Sequence, residues 1–219
     1  MLLQRLTRTR ALVGSLSILL VLTGCAAGGS TKAPESRRDR APDIAEARQG
    51  DGLVPPQVQT LYEQAVAAMG SGDYVDAELR FKEFQLQYPE YPGAYVNLAI
   101  IHANNGNNEA AKSVLDAALA LNPNHPAALN QLGMLLRKNG KFLEAEAAYL
   151  KAVTVSPDYA LAHYNLGVLN ELYLRRLDVA LQNFEAYQAL VGEDKQVAKW
   201  IADLRRRVAA TQRTANVAE

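Results

Sequence analysis

The sequence predicts an all-α solenoid, in which helix-turn-helix units stack in chain order and a C-terminal helix caps the last of them. Three observations carry this. From Val58 onward the chain resembles itself every 34 residues, a period typical of stacked arrays. Within each block the apolar letters fall at helical spacing. A glycine and a proline recur at fixed offsets, where such a unit needs a turn and a stop.

Composition narrows the function classes first. The 219 residues carry 23 Lys+Arg and 23 Asp+Glu, so the basic excess usual for nucleic-acid binders is missing. One cysteine excludes an intramolecular disulfide and a multi-cysteine metal cage.

The first element is an address. Arg5, Arg8 and Arg10 precede a 12-residue apolar run, Ala11 to Leu22. A bilayer span needs about 20 such residues, whereas the apolar core of a secretory leader needs roughly 7–15. The run ends in Leu22-Thr23-Gly24-Cys25, which resembles the bacterial lipobox. That resemblance implies cleavage after residue 24 and acylation of Cys25. Ala26, where an aspartate would retain the chain at the inner membrane, implies the outer membrane, facing the periplasm. Each buried CH₂ adds about 0.8 kcal/mol, so several acyl chains hold firmly where one is marginal.

Loss of residues 1–24 removes three arginines and leaves 20 basic against 23 acidic groups, a net of −3. The next stretch, up to Pro56, has four Gly, four Pro and no aromatic in the 31 residues after Cys25. It has too little apolar area to offset its ordering entropy, so residues 25–56 are expected to be a flexible tether spanning about 30 Å.

Four blocks follow within residues 57–191: 58–91, 92–125, 126–159 and 160–191. Their fourth positions are Leu61, Tyr95, Leu129 and His163. The seventh and eighth are Gln64-Ala65, Leu98-Ala99, Leu132-Gly133 and Leu166-Gly167. Gly72, Gly106 and Gly140 stand fifteenth; Ala77, Ala111 and Ala145 twentieth; Phe81, Leu115 and Tyr149 twenty-fourth. Pro89, Pro123 and Pro157 close the blocks. Small residues at the eighth and twentieth places let two antiparallel helices approach, and the large ones fill the seam between them. This pattern resembles the tetratricopeptide repeat (TPR). The resemblance implies a right-handed superhelix whose first helices line a concave face.

The fourth block departs from the pattern. Ala180, Phe184 and Tyr187 align only with one residue inserted after Leu174, and Leu174 or Arg175 stands where glycine is expected. Gly192 replaces the closing proline. Beyond it, residues 192–212 predict a capping helix, started by Asp194. Val197, Trp200, Ile201, Leu204 and Val208 form one apolar stripe along it. Residues 213–219 are expected to be a flexible tail.

Catalytic chemistry is not legible. His102 and His163 fall at seam positions and His125 in a turn between repeats. No nucleophile–base pairing, phosphate loop or metal-ligand spacing is present in the sequence, so neither an enzyme nor a cofactor is expected. Interest passes to the concave face. The TPR register assigns to it Tyr62, Glu63, Val66 and Met69, then Val96, Asn97, Ile100, Ala103 and Asn104. The third repeat adds Asn130, Gln131, Met134, Arg137 and Lys138, and the fourth Tyr164, Asn165, Val168 and Glu171.

Asn97, Gln131 and Asn165 repeat at intervals of 34. A carboxamide donates and accepts, so such a row suits a partner's peptide bonds; equally, each amide can simply steady a neighbouring helix. Three net hydrogen bonds at ~1 kcal/mol each give about a hundredfold in affinity, so apolar lining must supply the rest. The basic clamp by which some TPR domains grip a partner's C-terminal carboxylate is not carried, because Tyr62, Ala127 and Gln131 stand at its positions.

Lipobox, tether and stacked repeats together resemble the type IV pilus pilotin lipoproteins (PilF/PilW type) and NlpI-like lipoproteins that gather peptidoglycan enzymes. The resemblance implies an envelope adaptor for protein or peptide partners. Two alternatives are an accessory that holds a small ligand for a transport system and an outer-membrane assembly component of the BamD type.

Overall fold

The computed structural model describes residues 56–218. The leader, Cys25 and all of the tether but Pro56 lie outside the described residues, as does Glu219. Nine α-helices follow one another among the described residues, with no strand. They are α1 (Pro56–Gly70), α2 (Tyr74–Gln87), α3 (Pro92–Asn104), α4 (Asn108–Leu121), α5 (Pro126–Lys138), α6 (Phe142–Val155), α7 (Ala160–Leu169), α8 (Leu177–Val191) and α9 (Lys195–Ala218). Each helix packs on the next, while α3 also packs on α5 and α5 on α7. The first helices therefore form their own inner layer, as in the expected solenoid.

The punctuation has local causes. Gly72, Gly106 and Gly140 take φ of +84°, +78° and +77°, the left-handed region that a glycine enters without a Cβ penalty. The following amide then reaches back to the helix, Asp73 to Ala68 O, Asn107 to His102 O and Lys141 to Leu136 O. At the other end, a residue before proline is pushed out of the helical region. Tyr88, Asn122 and Ser156 precede the closing prolines and sit at φ −137°, −138° and −142°, so each second helix stops there. Pro92 and Pro126 then open α3 and α5 from the first turn, where no amide hydrogen is needed.

The fourth repeat absorbs its extra residue in a π-helical turn, Asn170–Leu174, that continues α7. Arg175 takes the glycine's place in the left-handed region at φ 55°. The closing amide is now that of Arg176, bonded to Asn170 O at 2.9 Å. That span is one residue longer than in the three repeats before it. The Arg176 guanidinium is pinned by Glu146 at 2.6 Å. A non-glycine residue in the left-handed region costs roughly 1–2 kcal/mol, so Arg175→Gly is expected to raise stability by about 1 kcal/mol. A chemical-denaturation midpoint that does not move up would contradict this.

The seams are built on close approach. At Gly133 an added Cβ would lie 2.5 Å from Tyr149 Cε1, and at Gly167 it would lie 2.7 Å from Phe184 Cε1. Each eighth-position glycine thus seats the aromatic of its own second helix. In repeat one Phe81 and Ala65 are both fully buried, and Phe81 is edge-on to Tyr62, with ring centroids 5.6 Å apart.

Helix α9 is the cap. Asp194 accepts from the amides of Gln196 and Val197, and Val197, Ile201 and Leu204 bury against Val168, Phe184 and Tyr187. Trp200 packs on Phe184 with ring centroids 5.5 Å apart and planes inclined by 51°. The three arginines beyond the stripe are tied down: Arg205 to Glu185, Arg206 to Asp203, and Arg207 to Glu171. The helix runs to Ala218; residues 209–218 contain no glycine or proline to stop it and several alanines to favour it.

Candidate functional site

The inner layer places the assigned groove residues in three ways. Tyr62, Met69, Val96, Ile100 and Val168 are buried, as are Asn97, Asn130 and Asn165. Val66, Ala103, Gln131, Met134, Arg137, Tyr164 and Glu171 are half-buried. Glu63, Asn104 and Lys138 are exposed. The inner face is narrower than the TPR register alone implies.

The amide row is where the reading changes. Asn97 Nδ2 donates to Tyr62 Oη at 2.6 Å and to Gly93 O at 3.2 Å. Asn165 Nδ2 donates to Asn130 Oδ1 at 2.9 Å. In both cases the sixth position of one repeat clasps the fifth position of the repeat before it. Lys138 Nζ likewise reaches back, to Ala103 O at 3.1 Å. Between repeats two and three the fifth position is Val96, which cannot accept a hydrogen bond, and Gln131 is left half-buried on the face. The row therefore divides into two inter-repeat clasps and one half-buried amide outside them. The sequence signal was present as polar pairs separated by 35 residues, one more than the period.

Tyr164 closes one end of the face, packed against Phe184, Tyr187 and Trp200 at centroid distances of 6.0, 5.3 and 6.1 Å. Glu171 is taken by Arg207 at 2.8 Å. In the middle of the face Gln131, Met134 and Arg137 are half-buried, and Met134 Sδ accepts from Asn130 Nδ2 at 3.9 Å.

Two of the three histidines have structural employment. His125 is fully buried and its Nδ1 accepts the Ala128 amide at 3.2 Å, capping α5. His163 faces Asn183 Oδ1 at 3.3 Å and Pro157 O at 3.0 Å. Tyr95 makes the matching bond in repeat two, to Pro89 O at 3.0 Å. No group of His, Cys, Asp or Glu suited to a metal ion occurs among the described residues, and no described helix is long and apolar enough to cross a membrane.

Beside the face lies a buried phenol. Burial pushes the Tyr149 hydroxyl well above its ordinary pKa, the Arg137 cation opposing and Tyr173 adding to the rise. It is therefore a donor at any physiological pH. Neither Tyr149 Oη nor Arg137 Nη1 has a hydrogen-bond partner, although both atoms are buried.

The repeat register, the seam glycines and the inner layer of first helices meet a family model, "Tetratricopeptide repeat", over residues 62–126, 99–158 and 130–194. These overlapping matches run through more than half of the chain. The chain belongs to the tetratricopeptide repeat family. No curated protein matches the sequence. Among solved structures, the TPR stack is similar to PilF of Pseudomonas aeruginosa, at 23% identity and a TM-score of 0.61, covering 77% of this chain and 74% of that one. It is similar to a thermophilic TPR protein of Thermus thermophilus, TTC0263, at 24% identity and a TM-score of 0.60, covering 68% and 82%. It is also similar to MamA of Desulfovibrio magneticus, at 21% identity and a TM-score of 0.56, covering 75% and 92%. At these identities the likeness concerns the TPR fold.

Proposed function

We propose that this TPR protein is a periplasm-facing adaptor, held to the outer membrane by an acylated Cys25, that gathers protein partners for an envelope machine. The observation that carries the reading is the division of labour on the inner face. Asn97 and Asn165 are consumed in holding repeats together, while Gln131, Met134 and Arg137 stay half-buried and add an amide, a thioether that accepts from Asn130 and a cation to the face. That mixture of one apolar anchor and polar groups suits a protein segment. The likeness in fold to PilF favours a pilus or secretion assembly over the other machines; the lipobox-like Leu22-Thr23-Gly24-Cys25 supports the anchor.

The test has two arms. Crosslinking from position 131 in cells, followed by mass spectrometry, is expected to capture an envelope protein that is not captured from exposed Leu79 on the outer side of α2. The same products from both positions would defeat the adaptor reading. Cys25→Ser is expected to move the protein from the membrane fraction to the soluble one. Unchanged fractionation would defeat the anchor and leave the adaptor standing.

A further inference from the structure

The repeat three–repeat four edge holds two buried polar atoms without partners, one on Arg137, whose cation the adaptor reading also uses, and one on Tyr149, which it does not use. Arg137 lies one turn along α5 from Gly133, the residue that seats the Tyr149 ring, with Cζ 2.9 Å from where a Cβ would be. Tyr149 is fully buried, yet its Oη has no partner; the same holds for Arg137 Nη1. Buried donors are almost always satisfied, so two unpaired ones on neighbouring residues mark a missing acceptor. Met134, Phe142 and Leu174 pack around the Tyr149 cluster, and Phe142 stacks on Tyr173 at 4.6 Å.

The charge around this edge also lacks an anion. Its carboxylates are committed: Glu144 to Lys141, Glu146 to Arg176, Glu171 to Arg207. Lys138 is held by a carbonyl, and neither Arg137 nor Arg175 makes an ion pair with a described carboxylate. Arg175 follows Leu174 directly and is exposed.

We propose that this edge is a binding site for a single carboxylate group, gripped by the Arg137 guanidinium and the Tyr149 phenol beside the Phe142–Tyr173 stack. Two donors on an otherwise apolar wall match the two oxygens of a planar carboxylate. A phosphate, with more charge and more oxygens, would be left under-satisfied there. Tyr173 beside the site is 40% exposed and belongs to the π-helical turn; such turns are frequent at functional sites. The residues stand at the twelfth and twenty-fourth positions of repeat three, away from the positions of the C-terminal carboxylate clamp. The inference shares Arg137 with the adaptor reading, and Tyr149, which that reading does not use, separates the two: acetate reports on the site whatever occupies the groove.

The experiment titrates sodium acetate into the full-length chain at constant ionic strength, following the amide resonances of Gly133, Tyr149 and Tyr173. Saturable shifts with acetate and none with sodium chloride are expected. Tyr149→Phe should weaken acetate about fivefold, the worth of one net hydrogen bond, and Arg137→Gln should abolish the response. Should Arg137→Gln fail to fold, Tyr149→Phe, which removes one oxygen, carries the test alone. Equal shifts with chloride, an Arg137→Gln protein that binds acetate normally, or saturation by inorganic phosphate alone would each overturn the assignment.

Discussion

Ala145→Glu is expected to cost at least about 4 kcal/mol and to split the stack at its third repeat. Ala145 is fully buried in the cluster of Tyr149, Leu166 and Leu169. A longer side chain there overpacks, at roughly 1–3 kcal/mol, and an unpaired buried carboxylate adds several more. Domains of ordinary stability have about 5–15 kcal/mol in hand. Because repeats contact mainly their neighbours, the loss falls on the array's middle and uncouples repeats one and two from repeat four and its cap. The control is Ala147→Glu, the same change two residues on at an exposed site of the same helix, expected to stay within about 0.5 kcal/mol. Thermal melts by circular dichroism and limited proteolysis read both. Equal melts for the two variants would mean that the repeat register is misplaced.

The two alanines differ only in register, and register is what the sequence made legible. Glycine at the fifteenth place and proline at the thirty-second act through their own backbones, so Gly72 and Pro89 announce a turn and a stop without reference to any other residue. The extra residue of repeat four was visible as a shift in the spacing of Ala180, Phe184 and Tyr187. That it becomes a π turn with Arg175 left-handed was not visible, because the alternative of lengthening the loop satisfies the same spacing. The inner face was less legible still. A position facing the groove in one repeat is also the position nearest the next first helix. Whether Asn97 points outward or back depends on what stands 35 residues earlier. Tyr62 and Asn130 offer an oxygen and Val96 does not, so identical repeat positions acquire different employment. His125 was legible as a turn residue; its use of Nδ1 as a helix cap, a place usually held by Ser, Thr, Asp or Asn, follows from burial that composition does not reveal.

Gly133→Ala is expected to destabilise the protein by about 1–2 kcal/mol, although alanine is the better helix former by up to about 1 kcal/mol. The sign is decided by space. The new methyl would sit 2.5, 2.6 and 2.9 Å from Cε1, Cδ1 and Cζ of Tyr149, and that ring is fully buried, with no solvent into which to retreat. Either α5 and α6 separate or the ring leaves its rotamer, at roughly 1–3 kcal/mol. Gly70→Ala separates propensity from sterics: its Cβ would meet nothing within 4 Å, so that variant should be neutral or more stable. The cause is tested by the double variant. At the same two positions repeat two carries Ala99 and Leu115, a larger eighth residue with a narrower twenty-fourth. Tyr149→Leu should therefore recover at least about 1 kcal/mol when combined with Gly133→Ala, relative to the sum of the single changes. Strict additivity would show that the glycine is not there to seat the ring. Repeat one, which holds both Ala65 and Phe81, would then be the better guide to how the seams are packed.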